Sequence, residues 1–262
     1  MPPRLDNAFI SSLAETGKAA CPRFPWYRGA IVALGALNYP EEIPAFYTYV
    51  LEHYIPEDAR KEETKKILEG LTKASGIVGA AKTGNAVRAL NPTIPTHLKD
   101  NTCYRQSETF ENASKRGREF HRQIYGRNPF FADSQTKNAA ADYYWIVSSK
   151  PTSGNPVLWS NLQGLMLIEL FARADLFYGY IFSFDEILDG LETSHCILSA
   201  LLGIDCQEQV RNHMIGMLLN GAKREEIEAF RNVVLRLAEK LEVKFKDAPI
   251  PIPANPEGTN ML

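Results

Sequence analysis

The stretch "LLGIDCQEQVRNHMIGMLLNGAKREEIEAF" (Leu201–Phe230) decides the fold class. Its apolar residues recur at three- and four-residue spacing, which is the period of a helix and not of a strand. Gly203 closes a first helix, and Asn220 with Gly221 supplies a left-handed stop for a second. Asp205, followed three residues later by a glutamate, predicts the capped start of that second helix. The stretch therefore predicts three consecutive helices joined by short turns.

The same helical period dominates the rest of the chain, whereas strand signals are weak. "PEEIPAFYTYVLEHY" (Pro40–Tyr54) places its apolar side chains on one face, at Ile43, Phe46, Tyr47, Val50 and Leu51. The segment Glu62–Leu90 predicts two helices that are interrupted near Gly76 and Gly79. Further helices are predicted over Ser107–Gly126, over Asn155–Phe182 as a buried central helix, and from a Ser183–Glu186 capping box to Gly203. We therefore predict an all-α fold.

Composition limits the classes of partner. The chain has 262 residues, is 45% hydrophobic, and carries a net charge of −2 from 29 basic and 31 acidic residues. This balance offers no basic face for nucleic acid, so we expect no nucleic-acid partner. The longest uncharged apolar run, Gly29–Tyr39, is far shorter than the roughly 20 residues that span a bilayer, so we expect no membrane span.

The cysteines and the two ends of the sequence indicate the cellular compartment to expect. Four irregularly spaced cysteines imply no disulfide framework, and the N-terminus lacks the pattern of a secretory signal. The last three residues, "NML", are not a Ser-Lys-Leu-type address. We therefore expect a soluble protein with free thiols that is cytoplasmic, with a mitochondrial or peroxisomal location as the alternative.

Cys206 and His213 are the first candidate pair for chemistry. With Gln209 they lie at positions i, i+3 and i+7, which is one stripe of a helix. A thiol near an imidazole suits nucleophilic or redox chemistry. Seven residues, however, extend about 10.5 Å along a helix, which is too far for a direct hydrogen bond. The alternative is ordinary helix interior with one buried histidine.

The preceding helix holds a second candidate group. Glu192 and Cys196 are i,i+4 neighbours on one face, next to His195. A carboxyl buried beside an imidazole could act as a general base or a proton relay. The alternative is a mixed face with Glu192 in solvent.

The sequence gives little support for a metal site or a phosphate-binding loop. The five histidines show no metal-ligand spacing, and "GIVGAAKTG" (Gly76–Gly84) lacks a glycine that a phosphate-binding loop requires. We expect neither a metal nor a cofactor. Four arginines could clamp a carboxylate or line a solvated helix face, namely Arg116, Arg118, Arg122 and Arg127.

A faint internal repeat relates the two halves of the chain. Aligning "LGALNYPEEIPAFYTYVLEH" with "LLGIDCQEQVRNHMIGMLLN" sets Pro40 opposite Cys206 and Tyr47 opposite His213. The first copy therefore lacks the reactive residues and is predicted to be a scaffold.

"QEQVRNHMIGMLLNGAKREEIEAFRNVV" closely resembles the signature of the carboxymuconolactone decarboxylase-like family, within the alkylhydroperoxidase D-like superfamily. "RGREFHRQIYG" and "YGYIFSFDEILDGLETSHCIL" are similar to the upstream helices of that family. "KKILEGLTKASGIVGAAKTGNAVRAL" resembles the extra N-terminal half of its longer, often fungal members. The similarity covers roughly Ala36 to Leu241.

The resemblance implies an all-helical tandem of two related units, commonly assembled as a homo-oligomer. It implies an N-terminal segment (1–35), a degenerate first helical unit (36–100), a carboxymuconolactone decarboxylase-like unit (101–245) and a Pro-rich tail (246–262). The tail is expected to be extended or disordered.

The resemblance also implies roles for site residues. The peroxidase branch uses a glutamate, a C-x-x-C motif and a histidine; Cys206 matches the first cysteine and His213 the histidine. Gln209 stands where the second cysteine should be, so a dithiol cycle lacks its partner sulfur. Glu192 lies near the upstream glutamate of the family.

Three functions follow as hypotheses. The first is a lyase- or isomerase-type enzyme for a small apolar organic acid or lactone, with His213 as acid/base, Glu192 as its orienting carboxyl and Cys206 in the pocket wall. The second is a hydroperoxide reductase that uses Cys206 alone. The third is a scaffold that binds a hydrophobic ligand without chemistry.

Overall fold

The computed structural model describes residues 4–18, 24–128, 171–246 and 248–254, excluding the side chains of 171–175. All regular structure in these ranges is helical and none is strand, so the prediction of an all-α fold is confirmed. Eight α-helices are described: α1 (Asn7–Gly17), α2 (Trp26–Ala36), α3 (Ile43–His53), α4 (Arg60–Leu90), α5 (Phe110–Tyr125), α6 (Gly190–Gly203), α7 (Gln207–Leu219) and α8 (Arg224–Lys240). A π-helix covers Phe171–Phe182. No helix in the described ranges is long and apolar enough to cross a bilayer.

The chain forms two compact units. The first combines Met1–Thr102 with Asp185–Leu262, and the second is Cys103–Phe184. Helices α6 to α8 therefore belong to the same unit as α1 to α4. The predicted division at residues 36–100 and 101–245 concerns repeat units and stays a prediction.

Helix α2 is the centre of the first unit. All eleven of its residues are buried, and it packs against α4, α6 and α8. Two glycines allow this close approach. A Cβ on Gly29 would lie 1.9 Å from Cε1 of Phe230, and one on Gly203 would lie 2.6 Å from Cβ of Ala36. Small residues thus let neighbouring helices approach along α2.

Helix α4 is kinked at Gly79, where φ is 78° and ψ is 168°, as the predicted interruption requires. A Cβ on Gly79 would meet nothing within 4 Å, so this glycine serves the backbone conformation rather than helix packing. Beyond the kink, Nζ of Lys82 donates to the carbonyl oxygen of Ala36 at 2.6 Å. Lys82 thereby satisfies an open carbonyl at the C-terminus of α2.

Several predicted elements are confirmed. The five apolar residues predicted for the face of α3 are all buried. Helix α7 ends at Leu219, and Gly221 has a φ of 90°, as expected for the Asn-Gly stop. The helix predicted over Ser107–Gly126 is α5, with Gly126 at its C-cap. The N-terminal part of the predicted Asn155–Phe182 helix lies outside the described residues.

Two predicted helix starts are wrong. Ser183 opens no helix, because its hydroxyl donates to the carbonyl oxygen of Gly179 at 2.9 Å. Helix α6 begins at Gly190 instead, with Asp189 and Glu192 forming its capping box. Asp205 does not cap α7 either. It adopts a φ of 57°, and Cys206 is the N-cap residue.

In the second unit, α5 packs against the π-helix through aromatic rings. The rings of Phe120 and Tyr178 lie 6.1 Å apart, and those of Tyr178 and Phe182 lie 5.0 Å apart. Two arginines bond to the C-terminal end of the π-helix. Nε of Arg116 donates to the Ser183 carbonyl at 2.7 Å, and Nε of Arg105 donates to the Tyr180 carbonyl at 2.6 Å.

Candidate functional site

Glu192 is a buried anion at the start of α6, with 6% of its surface exposed. Its Oε2 atom accepts a hydrogen bond from the backbone N–H of Asp189 at 2.9 Å. Its Oε1 atom accepts from Nη1 of Arg28 at 2.8 Å and from Nζ of Lys66 at 3.4 Å. Glu192 therefore serves the helix cap and two cations at once.

Arg28 of α2 connects Glu192 to a second carboxylate. Its Nε and Nη2 atoms donate to the two oxygens of Glu63 at 2.9 Å and 2.5 Å. The Tyr27 hydroxyl donates to the same Glu63 carboxylate at 2.9 Å. Arg28 is 2% exposed. Arg28, Glu63, Lys66 and Glu192 form a charge cluster of two cations and two anions, in which Arg28 and Glu192 are buried and Glu63 and Lys66 are partly exposed.

The surroundings of the cluster shift the pKa values of Tyr27 and Arg28. Burial raises the pKa of Tyr27, and the nearby Glu63 carboxylate raises it further. Burial alone would lower the pKa of Arg28, but hydrogen bonds and charges from Glu63 and Glu192 outweigh it, so the pKa of Arg28 is raised. Both groups therefore keep their protons at neutral pH and act as donors.

His195 lies one turn along α6 from Glu192 and is 1% exposed. Its Nδ1 atom lies 2.8 Å from the carbonyl oxygen of Leu191, so Nδ1 carries the proton and Nε2 is an acceptor. Nε2 has no hydrogen-bond partner among the residues that the structure describes. The ring stacks on Phe24 at 5.1 Å and meets the edge of Phe230 at 4.9 Å.

The surroundings keep His195 neutral. Burial lowers the pKa of His195, while the Leu191 hydrogen bond and the distant carboxylates of Glu226, Asp189 and Glu192 oppose this only partly. Because Nε2 of the neutral His195 ring keeps its lone pair, this nitrogen can accept a proton.

Cys196 is a different kind of thiol from Cys206. It is completely buried, and burial raises the pKa of the Cys196 thiol well above its usual range. Cys206 is partly exposed at the N-cap of α7, and both cysteines are free. A disulfide between Cys196 and Cys206 is therefore not formed.

His213 lies on α7 and is 3% exposed. Helices α6 and α7 pack against each other, so the predicted residues occupy neighbouring elements. The structure does not join Glu192 to His213 by a hydrogen bond, because the side-chain partners of Glu192 are Arg28, Lys66 and the Asp189 backbone. The catalytic roles of Glu192, Cys206 and His213 stay predictions.

Sequence reasoning missed Arg28, Glu63 and Lys66. Glu63 and Lys66 stand in a charged, helical segment, where i,i+3 pairs of opposite charge are normally solvated. The available signal was Arg28, a single charge inside the apolar run "WYRGAIVALGAL". A buried charge of this kind requires a partner from another helix.

Two of the four arginines in and after α5 form ion pairs with glutamates, and the carboxylate clamp stays a prediction. Arg116 pairs with Glu108 at 3.1 Å, and Arg122 pairs with the exposed Glu119 at 2.6 Å. A groove of about 620 Å³ follows α5, lined by Phe110, Glu111, Ser114, Lys115, Arg118, Glu119 and Arg122. Within the described residues, no group of three or more His, Cys, Asp or Glu side chains could hold a metal ion.

Two curated proteins named peroxisomal protein 2 are similar to this chain. The one from Schizosaccharomyces pombe is 27% identical over 220 residues, which cover 84% of this chain and 88% of that protein. The one from Saccharomyces cerevisiae is 23% identical over an alignment 267 positions long, which covers 86% of this chain and 91% of that protein. No family model matches the chain. No solved structure matches it.

Proposed function

We propose that this protein is an acid–base enzyme of the lyase or isomerase type that acts on a small apolar organic acid or lactone. The observation that supports this proposal most is the burial of Glu192 and His213 on two packed helices of one unit. A site that excludes water strengthens electrostatic contacts to a substrate. The family resemblance of the surrounding sequence supports the same chemistry.

His213 is the acid/base in this proposal, because a neutral imidazole can both accept and return a proton near pH 7. Glu192 acts through the cations that it holds. The Lys66 side chain is 24% exposed, whereas that of Arg28 is 2% exposed. Lys66 is therefore the cation of the cluster that a substrate carboxylate reaches first. In this proposal Cys206, which is partly exposed at the start of α7, lines the pocket.

Turnover of a panel of unsaturated γ-lactone carboxylic acids tests the proposal. Loss of substrate is followed by ultraviolet absorbance and carbon dioxide release. We expect His213→Gln to lower the rate by about 10²- to 10⁴-fold. His97→Gln is the matched control, because His97 is exposed. Unchanged turnover by His213→Gln would remove this mechanism.

We also propose a peroxisomal location, which was the alternative in the sequence-based expectation. Two proteins that are named peroxisomal protein 2 align with this chain along most of their length. A fluorescent protein fused to the N-terminus of the full chain should co-localise with a peroxisomal marker. Diffuse cytoplasmic fluorescence would contradict this proposal. A homo-oligomer, implied by the family resemblance, stays a prediction that light scattering can test.

A second candidate function is hydroperoxide reduction by Cys206 alone. The position of Cys206 at the N-cap of α7 favours it, because helix N-termini stabilise negative charge. The sulfur would attack the peroxide to give a sulfenic acid and an alcohol, and two molecules of a small thiol would then reduce it to thiol, disulfide and water. Trapping the sulfenic acid with dimedone tests this step, with Cys206→Ser as the negative control. Inactivity in both assays would favour the third hypothesis, a ligand-binding scaffold.

A further inference from the structure

The C-terminal segment is docked on the first unit. Lys246 and Ala248–Ala254, here called the strap, have no regular secondary structure. The sequence of the strap, with prolines at alternate positions from Pro249 to Pro253, predicts an extended chain. Prolines pre-organise this conformation, so docking the strap costs little conformational entropy.

The start of α7 holds the strap by its main chain. Oδ2 of Asp205 accepts a hydrogen bond from the N–H of Lys246 at 2.7 Å. Oε1 of Gln207 accepts one from the N–H of Ile250 at 3.0 Å. Asp205 and Gln207 are the two neighbours of Cys206 in sequence, so the residues before and after Cys206 both bind the strap.

Helix α8 holds the other edge of the strap. Nη2 of Arg231 donates to the Pro249 carbonyl at 2.9 Å. Nη1 and Nη2 of Arg224 donate to the carbonyls of Pro253 and Ile252 at 2.7 Å and 2.8 Å. Ile252 is also buried, with 8% of its surface exposed. The strap is therefore fastened along its length.

The strap also restrains the turn before Cys206 by a hydrogen bond to Asp205. Asp205 has a φ of 57°, in the left-handed region that costs a non-glycine residue roughly 1 kcal/mol or more. Its carboxylate is held by Nε2 of Gln207 at 2.6 Å as well as by the strap N–H. Release of the strap removes one of these two restraints, directly beside the thiol.

We propose that the strap is a releasable, partial cover of Cys206, which is partly exposed while the strap is docked. The docked strap restricts access of electrophiles and oxidants to the sulfur, and its release opens that access. This inference concerns the control of the thiol and goes beyond the proposed acid–base reaction. It holds or fails whichever reaction the protein performs.

Iodoacetamide labelling of the full chain, followed by site-resolved mass spectrometry, tests the proposal. Ile250→Pro removes the N–H that Gln207 accepts, and Ile250→Val keeps it as the matched control. We expect Cys206 to react about threefold faster in Ile250→Pro, which corresponds to the loss of one neutral hydrogen bond. Arg224→Ala removes two charged donors, and we expect a rate increase of at least about tenfold.

Two other cysteines serve as internal references. The exposed Cys103 should react at the same rate in every variant, and the buried Cys196 should stay unlabelled. Equal Cys206 rates in wild type, Ile250→Pro and Arg224→Ala would overturn the proposal. An equal rise at Cys196 and Cys206 in both variants would also overturn it, since it would indicate opening of the whole unit.

Discussion

Arg28 of α2 and Glu192 of α6 form a buried ion pair, with Nη1 and Oε1 separated by 2.8 Å. These residues are 164 positions apart in the chain. Both charges are removed from water, and each has further partners, Glu63 for Arg28 and Lys66 for Glu192. Such a pair gains little over an apolar contact when complete, but a broken pair leaves a buried charge without compensation.

We predict that Glu192→Gln lowers the free energy of unfolding by about 3 kcal/mol, because the buried Arg28 guanidinium then loses the more deeply buried of its two counter-charges. Urea denaturation followed by circular dichroism measures the change. Glu119→Gln is the matched control, because Glu119 lies in an exposed i,i+3 pair with Arg122. That control should leave the denaturation midpoint unchanged.

The pair can be isolated from the rest of the cluster. The double variant Arg28→Leu/Glu192→Leu should lose less free energy of unfolding than the sum of the losses of the two single variants. Each single variant leaves the charge of the other residue without its partner, whereas the double variant removes both charges. Additive losses would contradict a direct interaction between Arg28 and Glu192 as the source of the effect.

The helical part of this fold is predictable because local pattern and burial agree. The face of α3 illustrates this agreement, since residues at helical spacing in the sequence are the residues that the structure buries. The failures at Ser183 and Asp205 are of another kind. Both residues have the right type for a cap, but Ser183 bonds within the π-helix and Asp205 bonds to the strap. The Asp205 contact joins residues 41 positions apart, which no local window includes. The Ser183 contact spans only four residues, and it ends the π-helix instead of opening a new helix.

The charge cluster was beyond local pattern for a similar reason. Glu63 and Lys66 belong to a helix whose first turns are rich in charge, and only α2 and α6 decide which of these charges is buried. Glu192 can be selected from the sequence because it is followed closely by His195 and Cys196 on one predicted helix. The free acceptor nitrogen of His195 required the Leu191 contact, which is visible only in three dimensions.

Gly29 is the second site where we predict a large loss of stability. A Cβ at Gly29 would lie 1.9 Å from Cε1 of Phe230. Gly29→Ala should therefore lower the free energy of unfolding by about 3 kcal/mol through overpacking. Phe230→Leu should relieve part of this loss, so the double variant should be more stable than additivity predicts.

Gly79→Ala is the control for Gly29→Ala. It places a methyl group in open space but at a φ of 78° and a ψ of 168°, a backbone conformation that costs a residue with a Cβ about 1–3 kcal/mol. Phe230→Leu should not relieve that cost. If Phe230→Leu relieves both glycine substitutions equally, steric contact between Gly29 and Phe230 is not the cause.

Acidification should destabilise the first unit through His195. The pKa of His195 is lowered in the folded protein, chiefly by burial, whereas an unfolded histidine titrates near its usual value of 6.5. Above that value both states are neutral, so His195 adds no pH dependence. As the pH falls below 6.5 towards the lowered folded pKa, the unfolded state binds a proton that the folded state does not bind. The free energy of unfolding should then fall, by at most about 1.4 kcal/mol per pH unit from this one group.

His195→Phe isolates that contribution, because a phenyl ring retains the stacking on Phe24 and cannot bind a proton. Denaturation midpoints measured from pH 7.5 to 5.5 should fall in the wild type and in His97→Phe, whose histidine is exposed. In His195→Phe the fall should be smaller by the share of one proton, since the carboxylates that titrate at lower pH are common to all three proteins. Equal pH dependence in His195→Phe and wild type would mean that His195 binds a proton as readily in the folded protein as in the unfolded chain. Burial would then not keep His195 neutral.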